Sequence, residues 1–326
     1  MMTPETFKEK CKGIVPVQLC PLTKKGEVDT EGLKQNTQFL VDFAKGNKDL
    51  VIMTNGSTTE FYANTMEEQK TVIKTVVDVV DGKVPVVAGV SQAGTDNTIT
   101  MAKHAQDLGA DCAMVVLPYY HKPTGEGLYQ HYKKIAESID IGVMIYNNPD
   151  VSGLLIDPDL MHRLSKLDNI VAVKDNTPIV DHYFINAARI DPKDIVLLNG
   201  RGEIQFPGSA AYGFEYKGFV TFVGNFAPSL SYDVYDAVKK KDFDEAEVAL
   251  ERLLPLFEKV GEFMARRQDV SILAPAYKTN YMYMGVGKAC LDLVGLSGGH
   301  VKAPLEDLKQ KEKGELKEVL EGMDLI

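Results

Sequence analysis

The sequence predicts an α/β chain folded as a (β/α)8 TIM barrel with a helical C-terminal extension. Three observations carry this. Eight short apolar runs, rich in β-branched residues, recur across the first two-thirds of the chain. Segments with helical spacing lie between them, and strand–helix alternation of this kind builds parallel sheets from right-handed crossovers. No glycine-rich phosphate turn follows the first run, which continues as Leu19-Cys20-Pro21-Leu22. That disfavours a doubly wound open sheet.

The runs are Ile14–Gln18, Leu50–Thr54, Val84–Ala88, Ala113–Leu117, Ile141–Tyr146, Ile170–Val173, Ile195–Leu198 and Phe219–Val223. Each reads as a strand buried on both faces. The intervening helices are expected over Thr30–Ala44, Met66–Val80, Ile99–Leu108, Leu128–Ile139, Asp157–Leu167 and Ile179–Ile190. Asp29-Thr30 marks the start of the first. Thr65 with Glu68 forms a capping box for the second, and Asp81-Gly82 ends it. After Asn225 the pattern is helical: Phe226–Lys239, Phe243–Met264, Ala274–Val294 and Leu305–Met323, with Gly295–Pro304 as a loop. The charged stretch Lys309–Lys317 reads as a solvated face. The division expected is a barrel over 1–228 and an extension over 229–326.

Composition narrows the function. The chain has 326 residues, 44% hydrophobic and 25% charged, with a net charge of −10. With a pI near 5.2, nucleic acid and anionic membranes are not expected partners. The four cysteines are far apart without CxxC spacing, a reduced, cytoplasmic pattern rather than a disulfide scaffold. The start, MMTPETFKEKCKG, lacks the apolar core of a signal peptide. The six histidines show neither HxH nor HExxH spacing, so no metal site is expected. No cofactor is expected either.

The sixth run ends in a lysine: Ile170-Val171-Ala172-Val173-Lys174-Asp175. Alone, such a lysine reads as an ammonium escaping to solvent. Buried, it loses affinity for its proton, and a neutral amine attacks carbonyls to form a Schiff base. In (β/α)8 enzymes catalytic groups gather at the carboxyl ends of strands. There this chain places Gly56-Ser57-Thr58-Thr59-Glu60, Pro118-Tyr119-Tyr120, Tyr146-Asn147-Asn148-Pro149, Lys174, Asn199-Gly200 and Gly224-Asn225. Tyr146, one strand from Lys174, is placed to be an acid/base. Ser57 and Tyr120 can pass a proton on. The turn Gly56-Ser57-Thr58 offers backbone N–H groups and hydroxyls to a carboxylate. Each signal has a plain alternative, since tyrosines often end strands with a wet hydroxyl and Gly-Ser-Thr-Thr is ordinary turn composition. Their co-location at one rim is what singles them out.

These motifs resemble the dihydrodipicolinate synthase / N-acetylneuraminate lyase superfamily of class I (Schiff-base) lyases, from Gly13 to about Pro304. The resemblance rests on Gly56-Ser57-Thr58-Thr59-Glu60, on Pro118-Tyr119-Tyr120, on Tyr146-Asn147-Asn148-Pro149 and on Val171-Ala172-Val173-Lys174-Asp175. It implies an imine between Lys174 and pyruvate or another 2-oxo acid. It gives Tyr146 the acid/base role and Ser57 a proton relay. Ser57 and Thr58 hold the carboxylate, and Tyr119 lines the pocket. Tyr120 is donated to a neighbouring subunit, which implies a homo-oligomer, a dimer of dimers. Gly56, Gly200 and Gly224 complete the expected binding set.

The sequence departs from the family at three places. Val151 stands where the synthase branch has an arginine for a second carboxylate. Thr59 replaces a second glycine. Phe61-Tyr62 resembles the Glu-Phe-Phe of the sugar-acid dehydratase branch. The expected function is an aldolase or dehydratase acting on a 2-oxo acid or a 2-keto-3-deoxy sugar acid. The alternatives are 4-hydroxy-tetrahydrodipicolinate synthase, a keto-acid-binding barrel without turnover, and a metal-dependent aldolase.

Overall fold

The computed structural model describes residues 2–278 and 281–326. Eight parallel strands form one sheet: β1 (Gly13–Pro16), β2 (Ile52–Thr54), β3 (Val86–Gly89), β4 (Cys112–Val116), β5 (Gly142–Asn147), β6 (Ile170–Asp175), β7 (Val196–Asn199) and β8 (Tyr216–Thr221). Their spatial order is β1-β8-β7-β6-β5-β4-β3-β2. Parallel bridges Ile14↔Leu50 and Val17↔Met53 join the two ends, so the barrel closes.

An outer ring of helices covers the strands: α2 (Thr30–Phe43), α3 (Met66–Val80), α4 (Thr95–Leu108), α5 (Gly125–Ala136), α7 (Pro158–Leu164), α8 (Val180–Arg189), α9 (Phe206–Ala211) and α10 (Pro228–Lys239). Two short helices, α1 (Pro4–Lys10) and α6 (Pro149–Ser152), precede β1 and follow β5. The capping box at Thr65 forms as the sequence predicts, and Gly109 ends α4 at φ 95°. Beyond the ring lie α11 (Phe243–Glu251), α12 (Leu254–Ala265), α13 (Met282–Leu293) and α14 (Gln310–Gly322). Among the described residues no helix is long and apolar enough to cross a membrane.

The core has two layers because successive strand residues face opposite ways. One layer, including Ile14, Ile52, Val115 and Ile145, packs against the helices. The other, including Val15, Met53, Met114, Met144, Ala172 and Leu198, fills the lumen. Tyr146 follows Met144 by two residues and Lys174 follows Ala172 by two. Both therefore point inward at the rim.

The structure corrects several boundaries. The eighth strand begins at Tyr216, not Phe219, because the exposed Lys217 interrupts its apolar run. Val223 lies in the one-turn helix Val223–Asn225 that follows it. The single helix expected over Phe243–Met264 is two, α11 and α12, divided where Pro255 enters the first turn of the second. Proline lacks the N–H that a continuous helix would need there. The helix expected over Ala274–Val294 spans 279 and 280, outside the described residues, and is helical from Met282. The stretch Lys309–Lys317 is not wholly solvated. Its Glu312 is buried in a two-pronged pair with Arg267, at 2.5 and 2.8 Å, and Leu316 is in the core.

The seam between β1 and β8 depends on glycine. Gly13 pairs with Gly218. A Cβ on Gly218 would lie 1.9 Å from the Gly13 carbonyl oxygen, and Gly13 itself holds φ 96°. Gly218→Ala is expected to cost about 1–3 kcal/mol through overpacking against backbone. Chemical denaturation would check this, and an unchanged midpoint would mean the seam yields freely.

Candidate active site

β5 and β6 run in register with Tyr146 opposite Lys174. That pairing places the amine over the phenol's ring, with Nζ 3.9 Å from the centroid. Met53 Sδ, from β2 across the lumen, is also 3.9 Å from Nζ. Lys174 is 3% exposed. Burial pulls its ammonium down from 10.5 to about 7, with no opposing carboxylate among the causes. Its chain neighbour Asp175 faces the other side of the strand. There it accepts hydrogen bonds from Thr177 N at 2.8 Å, Thr177 Oγ1 at 2.6 Å and Asn147 Nδ2 at 3.2 Å. The alternation of the strand thus keeps amine and carboxylate apart.

Tyr146 is buried, which pushes its phenol up and keeps the proton on oxygen at neutral pH. Its hydroxyl accepts from Asn148 Nδ2 at 2.7 Å and is hydrogen-bonded to Ser57. Ser57 and Thr58 lie in the turn after β2. That turn is tied internally: Gly56 N donates to Thr59 Oγ1 at 3.1 Å, and Thr59 Oγ1 donates to the Gln18 carbonyl at 2.7 Å. Threonine at 59 therefore locks the turn to the segment after β1 through its own hydroxyl.

A cavity of about 440 Å³ opens at this rim. Lys174, Tyr146, Ser57, Thr58 and Gly200 all line it. Gly200 makes room for a neighbour, since a Cβ there would meet Asn176 Oδ1 at 1.9 Å. The other expected residues do not line this cavity. Gly56 backs onto Val17, and Gly224 is packed against Thr221 and Pro16. Tyr119 is half-buried against Phe61, with ring centroids 6.2 Å apart. Tyr120 is 75% exposed.

The sequence reading missed several wall residues. Asn148, Asp150, Asn176, Arg201 and Glu203 line the same cavity from the segments after β5, β6 and β7, Asp150 from the short helix α6. Their positions just beyond strand ends were the signal that could have found them. Tyr283 gave no such signal. It comes from α13, more than a hundred residues beyond Lys174, lines the cavity, and lies 3.3 Å from Thr58 Oγ1 through its hydroxyl. Glu60 ends the turn after β2 and precedes the one-turn helix Phe61–Ala63. It sits in the left-handed region at φ 61° and is 1% exposed. Lys288 Nζ lies 2.7 Å from Glu60 Oε1, and Lys302 N donates to Glu60 Oε2 at 2.6 Å. Among the described residues no group of three or more His, Cys, Asp or Glu side chains is placed to hold a metal ion.

Comparisons with known proteins agree with this arrangement. Residues 10–323 match the Dihydrodipicolinate synthetase family. A 4-hydroxy-tetrahydrodipicolinate synthase of Archaeoglobus fulgidus is 31% identical over 315 residues, covering 97% of this chain and 99% of the relative. One from Methanocaldococcus jannaschii is 32% identical over 316 residues, with coverage of 97% and 99%. The crystal structure of dihydrodipicolinate synthase from Aquifex aeolicus superposes with a TM-score of 0.82 at 29% identity, over 96% of this chain and 98% of that one. A prophage protein of the same family from E. coli, in complex with pyruvate, gives a TM-score of 0.82 at 27% identity, with coverage of 97% and 99%.

The buried amine has a cost that can be measured. Unfolded, Lys174 keeps its proton to the ordinary 10.5, and folded only to about 7. Between those values the unfolded chain binds more protons, so stability rises with pH. Below about 7 the full penalty applies. Lys174→Met is therefore expected to stabilise the fold at neutral pH by on the order of 3–5 kcal/mol. The advantage should shrink as pH climbs toward 10.5. Denaturant midpoints at pH 7 and pH 10 check both statements, and a destabilised variant would refute them.

Proposed function

The chain belongs to the Dihydrodipicolinate synthetase family, Schiff-base-forming lyases that act on pyruvate or another 2-oxo acid, and from this we propose that Lys174 is the amine that forms the imine. The observation that carries the assignment is the burial of Lys174 without a counter-charge. Near pH 7 a large share of such an amine is neutral. Its lone pair attacks the ketone carbon, and the carbonyl oxygen becomes a hydroxyl. Loss of that hydroxyl as water leaves an iminium, which withdraws electrons from the adjacent carbon. That carbon can then lose a proton to give an enamine, or be released from a C–C bond; the enamine in turn can expel a hydroxyl from the next carbon, which leaves as water once protonated.

Each step moves a proton. The Tyr146 phenol, held protonated by burial, is placed to deliver one to the departing hydroxyl, and Ser57 connects it onward. The hydroxyls of Ser57 and Thr58 suit the substrate carboxylate, with Tyr283 behind Thr58. This leaves the reacting carbon between the amine and the phenol. Gly56 and Gly224 serve this site from behind its wall, as positions where the backbone approaches closely. Tyr120 is exposed on its own chain. We assign it to the site of a second copy, within a homo-oligomer arranged as a dimer of dimers, with Tyr119 beside it at the rim.

Within this chemistry two products are open, aldol cleavage or condensation and dehydration. The relatives named as 4-hydroxy-tetrahydrodipicolinate synthases favour condensation of pyruvate with an aldehyde. Val151, at a position where the synthase branch carries a carboxylate-binding arginine, favours a different second substrate.

Reductive trapping tests the imine. Borohydride with pyruvate is expected to add a covalent adduct on Lys174, and Lys174→Ala is expected to lose both adduct and turnover. Trapping should rise with pH through about 7 and then level off, because only the neutral amine attacks. Tyr146→Phe is expected to slow turnover on the order of 10²–10⁴-fold. An adduct on another lysine would sink the assignment, and a loss of only a few-fold for Tyr146→Phe would return that residue to a packing role.

A further inference from the structure

We propose that segment 268–278, which joins α12 to α13, is a closing cover for the cavity, and that its apolar tip, Val270, Ile272 and Leu273, folds down onto Val151 and Ile204 at the cavity mouth. The proposal takes from the imine reading only that this cavity is where the reaction occurs.

The segment is tied to itself and not to the body of the protein. Every residue from 268 to 275 is exposed. Ile272 is 100% exposed and Val270 84%, and neither these two nor Leu273 belong to either layer of the core. Among the described residues its hydrogen bonds stay inside it. Ser271 N donates to Asp269 Oδ1 at 2.8 Å, Leu273 N to Ser271 Oγ at 3.2 Å and Tyr277 N to the Ala274 carbonyl at 2.9 Å. The Lys278 ammonium pairs with the Asp269 carboxylate and draws the two ends of the loop together. A stretch with few ties to the core moves at little cost.

Its flanks are held, and one of them is in the cavity wall. Arg267 is locked by Glu312 and donates Nη1 to the Phe263 carbonyl at 2.8 Å. Lys278 lines the cavity. Ile272 precedes Lys278 by six residues, which reach at most about 20 Å when extended. Val151 on α6 and Ile204 after β7 line the same cavity yet are exposed, so they mark where it opens. Mouth and tip are both apolar, and contact between them takes both surfaces out of water. The tether gives the mouth a high effective concentration, which favours it over a second copy of the chain. Closure would keep water from the iminium, which water hydrolyses back to ketone and ammonium.

The chain contains no tryptophan, so Ile272→Trp would carry its only indole. Pyruvate at a concentration that calorimetry shows to be saturating is expected to shift the indole emission to the blue and to cut acrylamide quenching several-fold. A second variant, Ile204→Cys with Ile272→Cys, reads closure without any ligand. The four native cysteines are buried. Air oxidation with copper–phenanthroline is therefore expected to join the two introduced thiols within one chain and to abolish pyruvate binding, and dithiothreitol to restore it. Ile272→Asp is expected to raise the pyruvate dissociation constant several-fold while leaving the denaturation midpoint in place. An unshifted indole at saturation overturns the proposal, as does the absence of the intrachain disulfide. A disulfide between chains in its place assigns the tip to a second copy and overturns it too. Failure of pyruvate to leave a borohydride adduct on Lys174 would count against the imine alone, because the disulfide forms without substrate.

Discussion

Everything at this rim depends on one uncompensated burial, that of the Lys174 amine. Taking an ammonium out of water disfavours the charged form, and a carboxylate in contact would restore it. Asp175 is covalently adjacent and would be the obvious partner. Strand geometry prevents the contact, because residues 174 and 175 project to opposite faces, and Thr177 and Asn147 occupy the acid. The face of the Tyr146 ring attracts the charged form and works against the shift. Desolvation by burial is what carries the amine down to about 7. A two-residue period in a buried strand is thus enough to tune an amine without any group dedicated to the task.

The C-terminal extension reaches this centre as well as packing beside it. Tyr283 meets Thr58, and Lys288 meets Glu60, so α13 grips both ends of the turn after β2. The Glu60–Lys288 pair is almost fully buried, and such pairs seldom repay their desolvation as net stability. Its clearer effect is geometric. Glu60 holds a left-handed conformation that a non-glycine residue adopts only under constraint. Lys288, the Lys302 N–H and the one-turn helix Phe61–Ala63 that follows fix it there. Ser57 and Thr58 inherit that rigidity.

The eight strands were legible because burial on both faces writes a continuous apolar run into the sequence, and the six longer helices between β1 and β7 because amphipathic spacing survives even without clean caps; the short α6 and α9 carry no such spacing and were not expected. What failed did so for local reasons. Lys217 broke the eighth run, and Pro255 divided a helix whose hydrophobic spacing continues across the break. In the site, Lys174, Tyr146, Ser57, Thr58 and Gly200 were readable because they end strands or belong to motifs just past them. Asp150, Asn176, Arg201 and Glu203 also lie one to four residues past strand ends, but no motif singled them out. Tyr283 was unreadable in principle, because its proximity to Thr58 comes from tertiary packing across more than two hundred residues.

The cavity's two halves are therefore positioned by different physics. Lys174 and Tyr146 sit on paired strands whose register the ladder fixes, and Ser57 and Thr58 sit on a turn braced from two sides. These are hard to move without breaking the barrel. The rest of the wall is carried by the segments after β5, β6 and β7, including the short helix α6, and these lie outside the strand ladder. Overall similarity at 27–32% identity and TM-scores near 0.8 reports mainly on the first half, since strands and ring helices make up most of what superposes. A shared name among relatives thus argues strongly for the imine chemistry and weakly for the second substrate. Val151, which bears on the second substrate, sits on the short helix after β5 and outside the strand ladder.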